Sequence, residues 1–375
     1  MPQPAPTAPD RLRALDWLRG IVMIVMAIDH ASIIYNAGRI ANDNAIMHVV
    51  GTPLPPGQFF TRWITHLCAP AFVLLAGAGI ALAGARRQGR DDARAFDRHL
   101  LVRGLVLVGL DLFYMSALVG LPMLQVLYAI GIGMIALIPA RRLGPRTLLV
   151  LALGWLTIDQ AVTSLVWDPA VGSSPALAAL AVGYFQGEQG TIIYPALPWL
   201  AIMLLGHALG QHIARWQAGT TRTSPVRVLV LAGLAGLCVF AVVRAANGYG
   251  NMFLLREDGS LTQWLHVSKY PPALAFVGLE LGLVALILAM LMKLEPRMPS
   301  RPNGPVLVLG QTALFFYLIH WLVLGIPATI FGLFGMGGPQ TACLAAAAAV
   351  LVLLPVCRWY RGYKRAHPTS WVRYV

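Results

Sequence analysis

Apolar runs separated by short polar segments recur along the whole chain. A membrane-spanning helix needs about 20 mostly apolar residues. Ten stretches approach that length, near residues 16–38, 59–84, 100–119, 121–140, 146–166, 192–213, 226–246, 272–293, 306–330 and 339–358. The pattern predicts an all-α, polytopic transmembrane helix bundle of about ten spans over residues 11–360. A Pro-rich tail at 1–10 reads as disordered, and residues 361–375 read as a basic cytoplasmic C-terminal tail. The first run contains Asp29 and His30, and no small-residue cleavage site follows it. It therefore reads as a retained span rather than a secretory signal. Residues 171–186 are apolar but short and Gly-flanked, which suits a re-entrant or interfacial piece better than a span.

Composition agrees with a bilayer as solvent. The 375 residues are 58% hydrophobic and 11% charged, whereas soluble domains carry about 25% charged residues. A net charge of +13 would suggest nucleic acid in a soluble protein, but its placement argues for topology. Cytoplasmic loops are enriched in Lys and Arg. With the N-terminus inside, 23 of the 28 basic residues fall on inner segments, and Arg39, Arg62, Arg244, Arg256 and Lys269 remain outside. Both termini are then cytoplasmic, and no nucleic-acid partner is needed. Three outer loops are long, near 39–58, 167–191 and 247–271, and long loops carry function more often than connectors do. The four cysteines are far apart with no CxxC pair, so neither zinc nor a disulfide framework is expected.

Ionisable groups inside a membrane are costly and usually face a cavity or a partner. The first span holds most of them. Asp16, Arg19 and His30 fall within about 60° of one another on a helix, a stripe rising ~16 Å from Arg19 to His30. The functional reading is a proton-handling His30 near mid-membrane with Asp29 close by. The structural reading is an Asp–His pair that satisfies neighbouring helices. In the second span Arg62 and His66 are i,i+4 and share a face. Arg62 alone suits snorkelling, whereas His66 lies about a turn deeper and can face the cavity of His30. Asp159, Glu280 and His320 sit in apolar runs at a similar outer depth, which suggests one outer-facing cavity or separate interhelical hydrogen bonds. Asp111 is nearer mid-depth and suits a structural role. His207 and His212 are about 140° apart on a helix, poor spacing for a metal, and no metal site is expected. Gly77, Gly79 and Gly206-His-Ala-Leu-Gly210 read as close-packing signals. Pro271 and Pro272, after Lys269, suit a first helical turn. Trp63, Trp199 and Trp264 suit interfacial belts.

Five ordered segments carry a resemblance: RALDWLRGIVMIVMAIDHAS, FFTRWITHLCAPAFVLLAGAGIAL, YPALPWLAIMLLGHALG, SKYPPALAF and LFFYLIHW. Together, over about residues 11–330, they resemble the bacterial membrane family that shares the catalytic domain of heparan-alpha-glucosaminide N-acetyltransferase. The resemblance implies a multi-pass enzyme of the bacterial inner membrane. It would take an acyl group, usually acetyl, from cytoplasmic acyl-CoA and place it on a sugar or amino-sugar acceptor across the membrane. In the animal enzyme an active-site histidine lies between the first two spans. That position falls near Pro56 here, with His48 in the same loop but out of register. The equivalent of His66 is an acidic residue in the animal enzyme. The catalytic residue is therefore not carried over, and it is argued from chemistry.

An amine or hydroxyl nucleophile loses a proton as it attacks a thioester, a task suited to histidine. His30, Asp29 and His66 are the catalytic candidates. Arg62, Asp159, Lys269, Glu280 and His320 are candidates for the acceptor side, and Arg19 and Asp16 for acyl-CoA (acetyl-CoA) as co-substrate. The expected partners are membrane lipids and a small-molecule or glycan acceptor, and a homodimer is left open. The rival readings are a transporter or channel for a small solute or lipid, and a non-catalytic membrane partner. A cavity joining an Arg-lined inner mouth to the histidines favours transfer, while a continuous polar path of even width favours transport.

Overall fold

The structure is a computed structural model that describes residues 12–87, 90–299 and 301–375. The expected disordered tail at 1–10 and Arg11 lie outside the described residues. The helices are α1 (Arg13–Tyr35), α2 (Pro56–Trp63), α3 (Cys68–Ala85), α4 (Arg90–Gly109), α5 (Ser116–Val119), α6 (Val126–Ala140), α7 (Pro145–Thr163), α8 (Ala176–Ala181), α9 (Ala196–Gln217), α10 (Pro225–Ala246), α11 (Leu261–Leu265), α12 (Leu274–Leu294), α13 (Pro305–Gln311), α14 (Ala313–Phe331) and α15 (Pro339–Ala366). Among the described residues, eight helical stretches are long and apolar enough to cross a membrane. At the other two expected spans stand α6, with 15 residues, and α7, with 19. Large apolar side chains such as Leu105, Phe113, Leu231, Val242, Phe331 and Leu351 point outward. An apolar surface of that extent marks a membrane-facing protein. The chain is a polytopic α-helical membrane protein.

Helix α1 is central and packs against α3, α12, α13, α14 and α15. Small residues let the backbones meet. A Cβ on Gly77 would stand 2.1 Å from the Met203 carbonyl oxygen, and one on Gly206 would stand 2.0 Å from that of Leu74, so α3 and α9 cross at glycine. Gly79 differs from the packing role expected of it. Its nearest neighbour is the Arg19 guanidinium, 3.2 Å from an added Cβ.

Two expected spans are broken. Between α2 and α3 a 3-10 turn occupies Ile64–Leu67. Pro70 has no N–H for the His66 carbonyl, so a regular helix cannot run through this point. The last-but-one span divides at Thr312, whose φ of −121° and ψ of 26° separate α13 from α14. The expected 100–119 span also contains a π-helical turn at Leu110–Met115. Asp111 in that turn accepts from the backbone N–H groups of Gln125 (2.6 Å) and Tyr128 (2.9 Å), capping the start of α6. The structural reading of Asp111 is the one observed.

Residues 171–186 form no span-length helix. They contain α8 and enter a small sheet in which β1 (Met123–Leu124), β3 (Gly190–Ile192) and β2 (Phe185–Gly187) lie side by side. Trp199 is fully buried, not in an interfacial belt. Pro271 and Pro272 precede α12 in a tight turn instead of occupying its first turn, and the Tyr270–Pro271 bond is cis.

The two ends of the bundle differ in charge. At one end Arg13 pairs with Glu295 (3.4 Å), Arg141 and Arg142 pair with Asp97 (2.7 and 3.0 Å), and Arg361 donates to Asn303 (2.6 Å). The opposite end carries the loops between α1 and α2, between α7 and α9, and between α10 and α12.

Candidate active site

Two groups of polar side chains meet beneath the loop end. The first lies between α1 and α14. His320 Nδ1 donates to the Phe316 carbonyl (3.1 Å), because a carbonyl oxygen only accepts. Its Nε2 is then an acceptor and takes a hydrogen bond of 2.6 Å from His30 Nδ1. This leaves the lone pair on His30 Nε2. The His30 ring also stacks on Trp321 at 4.2 Å. His30 lies five residues, ~7.5 Å, from the end of α1, and so nearer the loop end than mid-membrane.

The second group is centred on Asp43, in the loop after α1. His66 Nε2 donates to Asp43 (3.0 Å), which leaves His66 Nδ1 buried and without a partner. Arg62 donates to Asp43 as well and to both oxygens of Asp29 at 2.8 Å. Arg39 completes Asp29 at 2.9 Å. Asp29 is thus committed to two arginines and does not orient His30. Successive helix positions point about 100° apart, so Asp29 and His30 face different neighbours. Arg62 is buried in this network, and its expected snorkelling is not seen. Burial alone would raise the Asp43 carboxyl, but the Arg62 charge and His66 outweigh it and hold it well below the usual carboxylate range.

The Asp43 loop is held from outside by the 247–273 loop. Lys269 N donates to the Asp43 carbonyl (2.8 Å), His266 Nε2 donates to the Asn42 carbonyl (2.8 Å), and His48 pairs with Glu257. Burial pushes His266 down to about 4. Lys269 itself is buried beside this loop, with its side chain against the Tyr270 ring at 5.2 Å. Asp159 stays apart, with Thr163 at 3.5 Å as its partner on α7. Asp43 went unnoticed in the sequence. The available signal was its being the only carboxylate in the 39–58 loop.

A cavity of about 520 Å³ opens at the basic end. Arg19, Arg103, Arg361, Lys364 and Arg365 line its mouth, and apolar residues of α1, α3, α4 and α6 line its body. Such a volume suits a small-molecule site. Arg19 is held by Asp16 (3.0 Å) and the Leu75 carbonyl (3.1 Å), and Gln311 reaches Asp16 at 3.3 Å. The lining includes Tyr317, whose ring lies 6.1 Å from that of His30. Arg19, Met23 and His30 share one face of α1 within about 40°, and Ala313, Tyr317 and His320 share one face of α14 within about 60°. The two histidines therefore lie further along the helix faces that line the cavity.

The profile of the family described as heparan-alpha-glucosaminide N-acetyltransferase, catalytic, matches residues 11–244. The chain belongs to that family. The match points to a family of membrane acetyltransferases. The match covers Arg19, Asp29, His30, Asp43, Arg62 and His66, while Lys269, Glu280 and His320 lie beyond it. A comparison with curated proteins returns no match. His207 and His212 serve separate carbonyls, of Gly77 (3.3 Å) and Thr223 (3.1 Å). Among the described residues no three His, Cys, Asp or Glu side chains gather as a metal site.

Proposed function

We propose that the protein moves an acetyl group from cytoplasmic acyl-CoA to a sugar or amino-sugar acceptor on the far side of a bacterial inner membrane. One observation carries this reading: a cavity lined by Arg, Lys and apolar side chains includes Tyr317, whose ring lies 6.1 Å from that of His30 in the His30–His320 pair. The phosphates of a nucleotide thioester suit Arg and Lys at the mouth, and a pantetheine arm suits the apolar body. The thioester would then lie below His30 Nε2. An acceptor amine attacks the thioester carbonyl, the C–N bond forms and the C–S bond breaks. His30 Nε2 takes the proton from nitrogen and passes it to the leaving thiolate. His320 accepts from His30 Nδ1 throughout and holds the ring in the tautomer that a base requires.

The test is calorimetric binding of acetyl-CoA to the purified protein in detergent. The Arg103→Leu and Arg365→Ala variants should each bind about tenfold more weakly, the loss expected for one charge-assisted contact. No binding to the wild type, or unchanged binding in both variants, would sink the donor assignment.

A further inference from the structure

The expected tail at 361–375 is helical as far as Ala366, where α15 ends. Pro368 follows at once, and a residue without an N–H cannot continue the helix. A turn closes from the Ser370 N–H to the His367 carbonyl (3.2 Å). The chain then runs back along α15. Tyr360, six residues before the helix end, donates its hydroxyl to the Val372 carbonyl at 3.4 Å, and Val372 is buried. A 3-10 turn follows at Trp371–Tyr374.

This returning segment reaches the basic end of the cavity. The Tyr374 ring stacks on His99 of α4, with centroids 5.2 Å and planes 23° apart. Lys364 donates its ammonium to the Val375 carbonyl. His99, Lys364 and Val375 all line the cavity, together with Arg103, Arg361 and Arg365. The segment therefore crosses from α15 to α4 at the place where the lining is most basic.

We infer that residues 371–375 form a strap that closes the basic end of the cavity by occupying the place of a nucleotide. Tyr374 sets a flat ring on the His99 imidazole, and the Val375 carbonyl sets an oxygen on the Lys364 ammonium. A purine base stacks on histidine in the same way, and a phosphate oxygen is a stronger partner for lysine than a neutral carbonyl. When the strap opens, His99 becomes the stacking face for the base and Lys364 a phosphate contact. The strap is held weakly enough to open. One ring contact and one or two hydrogen bonds correspond to a closed-to-open ratio of about ten. The nucleotide assignment rests on the donor reading above, whereas closure of the cavity by the strap does not.

The experiment compares the full chain with one lacking residues 371–375, by calorimetric binding of acetyl-CoA in detergent and by thiol labelling. The shortened chain should bind acetyl-CoA about tenfold more tightly, because its site is no longer closed for most of the time. Tyr374→Ala in the full chain should show part of that gain, and it carries the same comparison if the shortened chain does not fold. His99→Ala should weaken binding to the shortened chain about fivefold, the loss expected for one stacked base. In the full chain the same change also frees the strap, so binding should shift by less. Equal or weaker binding after removal of the strap overturns the inference. So does an effect of His99→Ala that is the same in both chains. Labelling tests closure without the donor. Ala83→Cys places a thiol in the cavity lining. In a background without Cys238 and Cys343 it should react with a polar maleimide about tenfold faster in the shortened chain. Equal labelling rates overturn the strap. If neither chain binds acetyl-CoA, the donor reading fails, and labelling decides the strap by itself.

Discussion

At the scale of single residues, the two histidines differ in burial and in wiring, His66 being buried and His30 partly so. His30 is held by another histidine, on α14, while His66 is held by a carboxylate on the loop side. A general base contributes typically 10²–10⁴-fold to rate. His30→Ala should lose turnover on that scale while the protein still inserts and binds acetyl-CoA. His66→Ala is the comparison, and it should retain the larger rate. Near-normal turnover in the first with none in the second would move the base to His66. That these residues matter was legible, because a titratable group in an apolar run demands a partner. Their partners were not legible. Asp43 and His320 reach their histidines from a loop and from a helix far along the chain, and helical spacing relates only residues on one element.

Among the elements, contact distance is set by glycine. The Gly206–Gly210 spacing was readable as a packing face, and the structure supplies its other side, Gly77 on α3. An added Cβ at Gly206 would stand 2.0 Å from a backbone oxygen, which cannot move as a side chain can. Gly206→Ala should therefore lower the melting temperature in detergent, with a cost of about 1–3 kcal/mol from overpacking. Gly154→Ala, on α7 with open space around it, should leave melting unchanged. Equal melting of the two variants would mean that α3 and α9 do not cross as described. Helix breaks were less legible than helix faces. Pro70 signals the turn at Ile64–Leu67, but the break at Thr312 has no such mark in a continuous apolar run. The 15-residue α6 also shows that run length overstated the span.

For the molecule as a whole, the segregation of charge predicts an orientation. Basic residues gather at the cavity mouth and the neighbouring helix ends, and cytoplasmic segments are the ones enriched in Lys and Arg. Ala95, in the exposed first part of α4, should therefore be cytoplasmic, and Thr52 should face outward. Single cysteines at these positions, in a background without Cys238 and Cys343, can be probed with an impermeant maleimide on intact cells. Labelling at 52 and none at 95 is expected, and the reverse pattern would overturn the orientation.

The chain by itself determined that it is a helical membrane protein, because only a bilayer can solvate ten long apolar runs in a sequence with 11% charge. It also marked His30, His66, Glu280 and His320 as residues needing an explanation, since each carries a polar or charged group where water is absent. Tertiary structure alone decided which of them meet. It gave Asp29 to the arginines, left Asp159 with Thr163 on α7, brought in Asp43, and bonded His30 to His320. Burial cost is a property of a residue and its local run. Partnership depends on the rotation and crossing of helices that the local pattern does not contain.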